Sequence, residues 1–175
     1  MRGLLFGILV LSLILIAGGV VLANERACIP VTARIPQMII MELDATDLVF
    51  DEEDFDFILG SAYLTKAGVM ATKKRVVTAT ISGNVPYTLL ISAPEEYLVG
   101  ASEGVIHVSQ LKWRLSDSDD DGDGWQSITL ERMPVKSGPP GTLEVEFDFQ
   151  FIAFWENIAQ IYKGEILLTV IPDGS

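Results

Sequence analysis

Residues 115–130 read Leu-Ser-Asp-Ser-Asp-Asp-Asp-Gly-Asp-Gly-Trp-Gln-Ser-Ile-Thr-Leu, and Asp117, Asp119, Asp120, Asp121 and Asp123 crowd into one short stretch. Carboxylates at this density can hold a hard cation. With Asp117 at the first loop position, Asp119 and Asp121 fall at the third and fifth, Gly122 at the sixth and Asp123 at the seventh, which is the first half of an EF-hand calcium loop. Alternate carboxylates point into a tight curl, and the glycine permits the sharp turn. The second half departs from the pattern, because Ile128 stands where a bidentate glutamate is needed and the flanks read as strands. What survives is a weaker calcium site built from Asp117, Asp119, Asp121 and Asp123, beside the plainer alternative of a solvated acidic turn. Close carboxylates repel by about 1 kcal/mol per pair in water, so a compact loop calls for a neutralising cation. A second acidic run, Asp51-Glu52-Glu53-Asp54 with Asp56, lacks glycine and regular spacing and reads as a solvated turn.

Other chemistry has little to stand on. His107 and Cys28 are the only residues of their kinds, so no zinc spacing exists. His107 lies in the strand-like Val-Ile-His-Val-Ser, and no serine carries the glycines of a nucleophile elbow. Paired carboxylates for hydrolysis are compatible with this chain only as they are with any acidic one. The expectation is a protein that is not an enzyme. Trp125 and Trp155, at the ends of strand-like runs, are candidate binding residues that could present rings to a sugar. Trp113, on an alternating run, is expected in the core.

These residues must be positioned by strands. From Thr142 to Trp155 the residues Leu143, Val145, Phe147, Phe149 and Phe151 alternate with Glu144, Glu146, Asp148 and Gln150, which predicts one face in a core and one in water. Arg75–Gly83 and Tyr87–Ala93 are β-branched runs separated by Asn84-Val85-Pro86, a short turn. Further strands are expected from Gly104–Ser109, Gln110–Leu115, Trp125–Met133 and Gly164–Pro172, and two or three more from Val31–Leu43 and Asp47–Phe50. Only Trp155–Lys163 could hold a helical turn or two. About seven to nine short strands with regular turn signals predict an all-β fold, a single immunoglobulin-like antiparallel β-sandwich.

The chain begins Met-Arg-Gly and then runs from Leu4 to Leu22 without a charge. With Val21-Leu22-Ala23 as a cleavage site, residues 1–23 read as a secretory signal peptide, or as an N-terminal membrane anchor if left uncut, and residues 24–175 as the β-sandwich domain. The protein is therefore expected to be secreted or at the cell surface, touching a membrane only through an uncleaved N-terminal segment. The formal net charge of −12 argues against nucleic acid as a partner, since a field of that sign repels phosphate. A single cysteine cannot form an internal disulfide, so the core alone must hold the exported domain together.

The stretch Val-Val-Thr-Ala-Thr-Ile-Ser-Gly-Asn-Val-Pro-Tyr-Thr-Leu-Leu-Ile-Ser-Ala-Pro joins a strand to the next through Asn-x-Pro-aromatic. Leu111-Lys112-Trp113-Arg114, a second tryptophan at Trp125 and the closing Gly164–Val170 follow it. In these phrases the chain, over residues 76–171, resembles small exported prokaryotic β-sandwich proteins of the spore-coat-U-like and fimbrial kind. The resemblance implies a structural or adhesive role at the surface, as a subunit of a pilus-like filament joined by strand exchange, with copies of itself or other surface proteins as partners. Ile29, Val31, Ala33 and Ile35 alternate with Pro30, Thr32, Arg34 and Pro36, as an assembly strand given to a neighbour's open sheet would. The same alternation suits the first strand of the chain's own sandwich. The alternative to a filament subunit is a calcium-assisted carbohydrate-binding module.

Overall fold

The structure is a computed structural model that describes residues 30–55, 62–65, 68–117 and 124–174. The proposed signal segment lies outside these residues. Residues 36–175 form one compact unit, and residues 30–35, at the end of the preceding unit, are exposed and carry no regular secondary structure.

The fold is an all-β antiparallel sandwich, as the alternation predicts. Its largest sheet runs in the order β1 (Ile39–Leu43), β3 (Gly68–Gly83), β10 (Gly141–Phe154), β7 (Leu111–Leu115) and β8 (Gln126–Ser127), with β2 (Tyr63–Leu64) also paired to β3. A second sheet has β4 (Tyr87–Ser92) between β9 (Met133–Gly138) and β12 (Leu167–Pro172). A third, small sheet places β5 (Tyr97–Gly100) between β6 (Val105–His107) and β11 (Tyr162–Lys163).

The core lies between the first two sheets. Val77, Ala79 and Ile81 of β3, Val145, Phe147 and Phe149 of β10 and Trp113 of β7 pack with Tyr87, Leu89 and Ile91 of β4. Each large apolar side chain fully buried here stabilises the fold by about 1.5–3 kcal/mol relative to exposure. Period-two spacing puts those residues on one face of each strand, so the sequence pattern and the core coincide.

The Asn-x-Pro-aromatic phrase turns the chain from one sheet to the other. Asn84 holds the chain ahead of β1: its Oδ1 accepts from the Met38 N–H at 2.8 Å and its Nδ2 donates to the Pro36 carbonyl at 2.8 Å. Tyr87, three residues on, is fully buried and its hydroxyl donates to the Ile81 carbonyl at 3.3 Å. Gly138 admits the Tyr87 ring, since a Cβ there would stand 3.0 Å from Cε2.

Several expectations are corrected. Among the described residues the first strand is Ile39–Leu43, residues 30–35 form none, and Asp47–Phe50 forms no strand. Pro36 has no N–H to donate to a ladder, which suits a position outside β1. Trp155–Lys163 holds no helix; it turns and then pairs with β5 through Tyr162 and Lys163. The described residues form twelve strands where about seven to nine were expected from turn spacing. The excess comes from short ones, since β2, β8 and β11 span two residues each.

Candidate functional site

Where β7 leads into the acidic loop, the sandwich carries a buried charge. Asp148 is only 2% exposed, although the alternation of β10 assigns it to the solvent face. Its Oδ2 accepts from Arg114 Nε at 3.0 Å, and its Oδ1 accepts from Ser116 Oγ at 2.6 Å and from the Arg75 N–H at 2.9 Å. Three charge-assisted hydrogen bonds and one guanidinium are what a desolvated carboxylate needs. Burial pushes the Asp148 carboxyl up, but the bonds from Ser116, Arg75 and Arg114 together with the Arg114 charge outweigh it and hold the group below its ordinary value.

The bond to Arg75 reaches across an irregularity in the sheet. Phe147 pairs with Val77 and Phe149 with Lys73, so β3 spends four residue steps where β10 spends two. Arg75 sits in that bulge with φ 50°, the only non-glycine residue at positive φ among those described. Asp148 thus fills the gap that the bulge opens. The geometry makes Asp148 a structural acceptor with its lone pairs engaged, not a base open to a substrate.

Trp125 belongs to the same cluster. The Arg114 guanidinium lies 4.7 Å from the Trp125 ring centroid, so one side of this candidate ring is in a cation–π contact. A small cleft beside it is lined by Trp113, Leu115, Gly124, Gln126, Pro134 and Val135. Trp113 is in the core as expected, with its indole Nε1 buried and without a hydrogen-bond partner among the described residues. At about 170 Å³ the cleft is smaller than the roughly 300 Å³ at which drug-sized ligand pockets begin.

Of the candidate calcium ligands, Asp117 is described, and Asp119, Asp121 and Asp123 lie outside the described residues. Asp117 is exposed and pairs with Lys136 Nζ at 3.3 Å. No group of three or more potential metal ligands occurs among the described residues. In the second acidic run, Asp54 is bound to Lys73 Nζ at 2.8 Å and accepts the Asp51 N–H at 2.9 Å. Burial pushes the Asp54 carboxyl up, and the Lys73 and Asp51 interactions more than offset this and lower it. Glu52, Glu53 and Asp54 of that run lie within a short 3-10 turn, Glu52–Phe55, and Asp56 lies outside the described residues.

Trp155 stands elsewhere, in the connection from β10 to β11, and is 61% exposed. The structure therefore does not bring the two candidate tryptophans onto one element. Val31, Ala33 and Ile35 are exposed, and Ile29 lies outside the described residues. His107 caps the 3-10 turn Val108–Gln110: its Nδ1 accepts from the Ser109 N–H at 3.1 Å and lies 2.7 Å from Ser109 Oγ, while Nε2 is 3.4 Å from Glu96 Oε1.

Asp148, Ser116 and Arg75 are the members of the cluster that sequence reasoning misses. An acid in an alternating strand reads as solvent-facing, and nothing in the sequence marks Arg75 as left-handed. The one available signal is Leu111-Lys112-Trp113-Arg114, which sets an arginine directly after a core tryptophan on the same strand. No protein-family model matches the chain, and no curated protein matches it.

Proposed function

We propose that this is an exported structural and adhesive protein of the cell surface, a filament subunit that gives its N-terminal segment, Ile29–Ile35, as a strand to a neighbouring copy. The observation that carries this reading is the state of residues 30–35. Val31 is 87% and Ile35 75% exposed, and no strand includes either. The sandwich has its own first strand in Ile39–Leu43, and Asn84 anchors the chain at Pro36 and Met38. Val31, Ala33 and Ile35, ahead of that anchor, lie in no described strand, which supports their availability to a neighbour.

Receiving edges also exist. Among the described residues β1 pairs only with β3, and β9 and β12 pair only with β4, so each leaves one edge of its ladder open. An added strand gains main-chain hydrogen bonds at such an edge, and its alternate side chains set the register. Removing residues 24–35 tests the reading. The truncated domain is expected to stay folded by circular dichroism and to lose its polymers in electron micrographs. Polymers that persist after the deletion, or a domain that unfolds, overturn strand donation.

The exposure of Trp155 favours the second reading, a calcium-assisted carbohydrate-binding module. An aromatic ring open to solvent at the end of a strand is the kind of platform on which a sugar face stacks. Its tests are set out with the other expected outcomes below.

A further inference from the structure

Main-chain hydrogen bonds fix which groups β1 offers at its open edge. The Asn84 N–H donates to the Met38 carbonyl and the Asp44 N–H to the Thr78 carbonyl, both at 3.1 Å. Bonding alternates along an antiparallel pair, so Ile40 and Glu42, between those two, also bond toward β3. The N–H and C=O groups of Ile39, Met41 and Leu43 therefore point away from β3, and among the described residues no strand pairs with that side of β1. The side chains of Ile39 and Met41 are half-buried and pack against the core.

Sheet edges are ordinarily blunted by proline, by a bulge or by shortness, because a bare edge recruits other strands. The competing edges are blunted in these ways. β9 carries Pro134 and a register shift beside it. In β12 the Asp173 N–H donates to the Pro86 carbonyl at 2.9 Å, which sets Leu168, Val170 and Pro172 outward, and Pro172 has no N–H to offer. β2, β8 and β11 span two residues each, and β6 spans three. β1 has none of these devices over its five residues, and Ile40 on it is 63% exposed.

The N-terminal segment fits that edge. Val31–Ile35 is a run of matching length between Pro30 and Pro36. Laid antiparallel with Val31 opposite Leu43, Ala33 opposite Met41 and Ile35 opposite Ile39, it sets its apolar side chains on the core face beside Ile39 and Met41. The N–H groups that then bond are those of Val31, Ala33 and Ile35. Pro30 and Pro36, which have none, fall at positions facing away from β1. Arg34 comes opposite Ile40 and within diagonal reach of Glu42. Charge draws the segment to the acidic body: residues 26–41 hold Arg26 and Arg34 and no acid, in a chain of formal net charge −12.

From these observations we infer that β1 is the acceptor edge, and that Val31–Ile35 of a neighbouring copy pairs with it in this register. The inference rests on the strand-donation reading and adds where the donated strand lands. Its affinity comes from ladder hydrogen bonds and from alternate side chains at the margin of the core, not from a broad face between two acidic bodies.

Cysteine cross-linking tests the inference in the full chain carrying Cys28→Ser, which removes the native thiol. Residues opposite one another at a hydrogen-bonded position have Cα atoms about 5.5 Å apart, within disulfide range. A Val31→Cys chain and a Leu43→Cys chain, refolded together and oxidised, are expected to give a heterodimer cross-linked between positions 31 and 43, read by peptide mapping. Val31→Cys with Ile40→Cys, whose side chain lies on the opposite face of β1, is expected to give far less. Met41→Pro removes an outward N–H and no bond to β3; it is expected to keep the circular dichroism of the parent and to form no polymers. Should that variant unfold, the cross-link decides alone. Absence of the 31–43 cross-link overturns the inference, and if deletion of residues 24–35 still abolishes polymers, strand donation stands with a different acceptor. A 31–43 disulfide that forms only within single chains of the double-cysteine variant also overturns it, since the segment then pairs with its own β1.

Discussion

The carboxylate of Asp148 holds the main-chain N–H of Arg75 at 2.9 Å across a bulge in the central strand pair, and Arg75 itself is left-handed at φ 50°. The same carboxylate holds Arg114 from the neighbouring strand and Ser116 just beyond it. One buried acid therefore joins three segments of the sheet at the point where the acidic loop departs. Its role is to fix the loop's root, and through Arg114 the Trp125 ring, in a defined place.

Replacing Asp148 by Asn removes the charge while keeping the shape. Arg114, whose side chain is only 13% exposed, then loses the carboxylate to which its Nε donates. Breaking a buried pair from one side costs about 3–5 kcal/mol, which is a large share of a domain's whole stability. The urea midpoint of Asp148→Asn is expected to fall accordingly, with an unchanged slope. A loss below about 1 kcal/mol would show that the clamp is not a stabilising element.

Arg75→Gly is expected to act in the opposite direction. A non-glycine residue in the left-handed region is strained by about 1–2 kcal/mol, and glycine adopts it freely. The bond to Asp148 is made by the main chain, so it survives the substitution. What is lost is an exposed contact of Arg75 with Glu146 at 3.5 Å, of a type that contributes at most about 1 kcal/mol. The variant should melt at or slightly above the parent temperature; a clear decrease would mean that the arginine side chain stabilises the bulge.

Acid should weaken the fold through the same group. The folded-state pKa of Asp148 lies below its ordinary value of 3.8, so the carboxylate contributes stability that is fully present above that value and lost as pH falls through the depressed one. Asp54, lowered by Lys73 and Asp51 against the effect of burial, has the same sign. Stability measured by urea unfolding is expected to change little through these groups above about pH 5 and to fall steeply below 4. The gap between the parent and Asp148→Asn should narrow over that acid range. A gap that stays constant down to the lowest pH would refute the assignment.

The sandwich was legible because the alternation in β3, β4 and β10 is the direct imprint of a two-layer core. Its interruption was not. Once β3 takes extra residues at Arg75, strict alternation no longer tells which side of β10 is dry, and Asp148 and Gln150 turn out buried. Gln150 follows the same logic as Asp148, since its amide donates to Thr72 Oγ1 at 3.2 Å. Residues 30–35 alternate as a strand would and form none, because period two along the chain does not say whether a pairing partner exists. Trp125 was expected as an open platform, but the ring's contact with Arg114 depends on two strands meeting in space, which no spacing along the chain reveals.

Calcium can be tested with Trp125 as the reporter, because it follows Gly124 at the end of the acidic loop and sits against Arg114. If Asp117, Asp119, Asp121 and Asp123 bind the ion, calcium at several millimolar should raise the melting temperature and alter tryptophan fluorescence, in the range of extracellular sites. Asp117 would have to leave Lys136, an exposed pair whose loss costs at most about 1 kcal/mol and so does not prevent binding. The absence of both signals up to 10 mM, a saturating excess over sites of roughly 0.1–1 mM, would dismiss the site.

Trp155→Ala separates the two functional readings. With the side chain largely in solvent, its truncation should change stability by no more than about 0.5 kcal/mol. A surface residue that contributes nothing to the fold can still dominate a binding face, since truncating a large aromatic at a contact removes about 2 kcal/mol or more of affinity. In the carbohydrate-binding reading, pull-down with insoluble polysaccharide and calcium should recover the parent protein and fail with Trp155→Ala, while Trp125→Ala also loosens the Arg114 contact and shifts the melting curve. In the filament reading the parent is not retained by the polysaccharide, and Trp155→Ala polymerises as the parent does. A parent that is retained, with Trp155→Ala retained equally, would place sugar binding away from this ring and remove the observation on which the second reading rests.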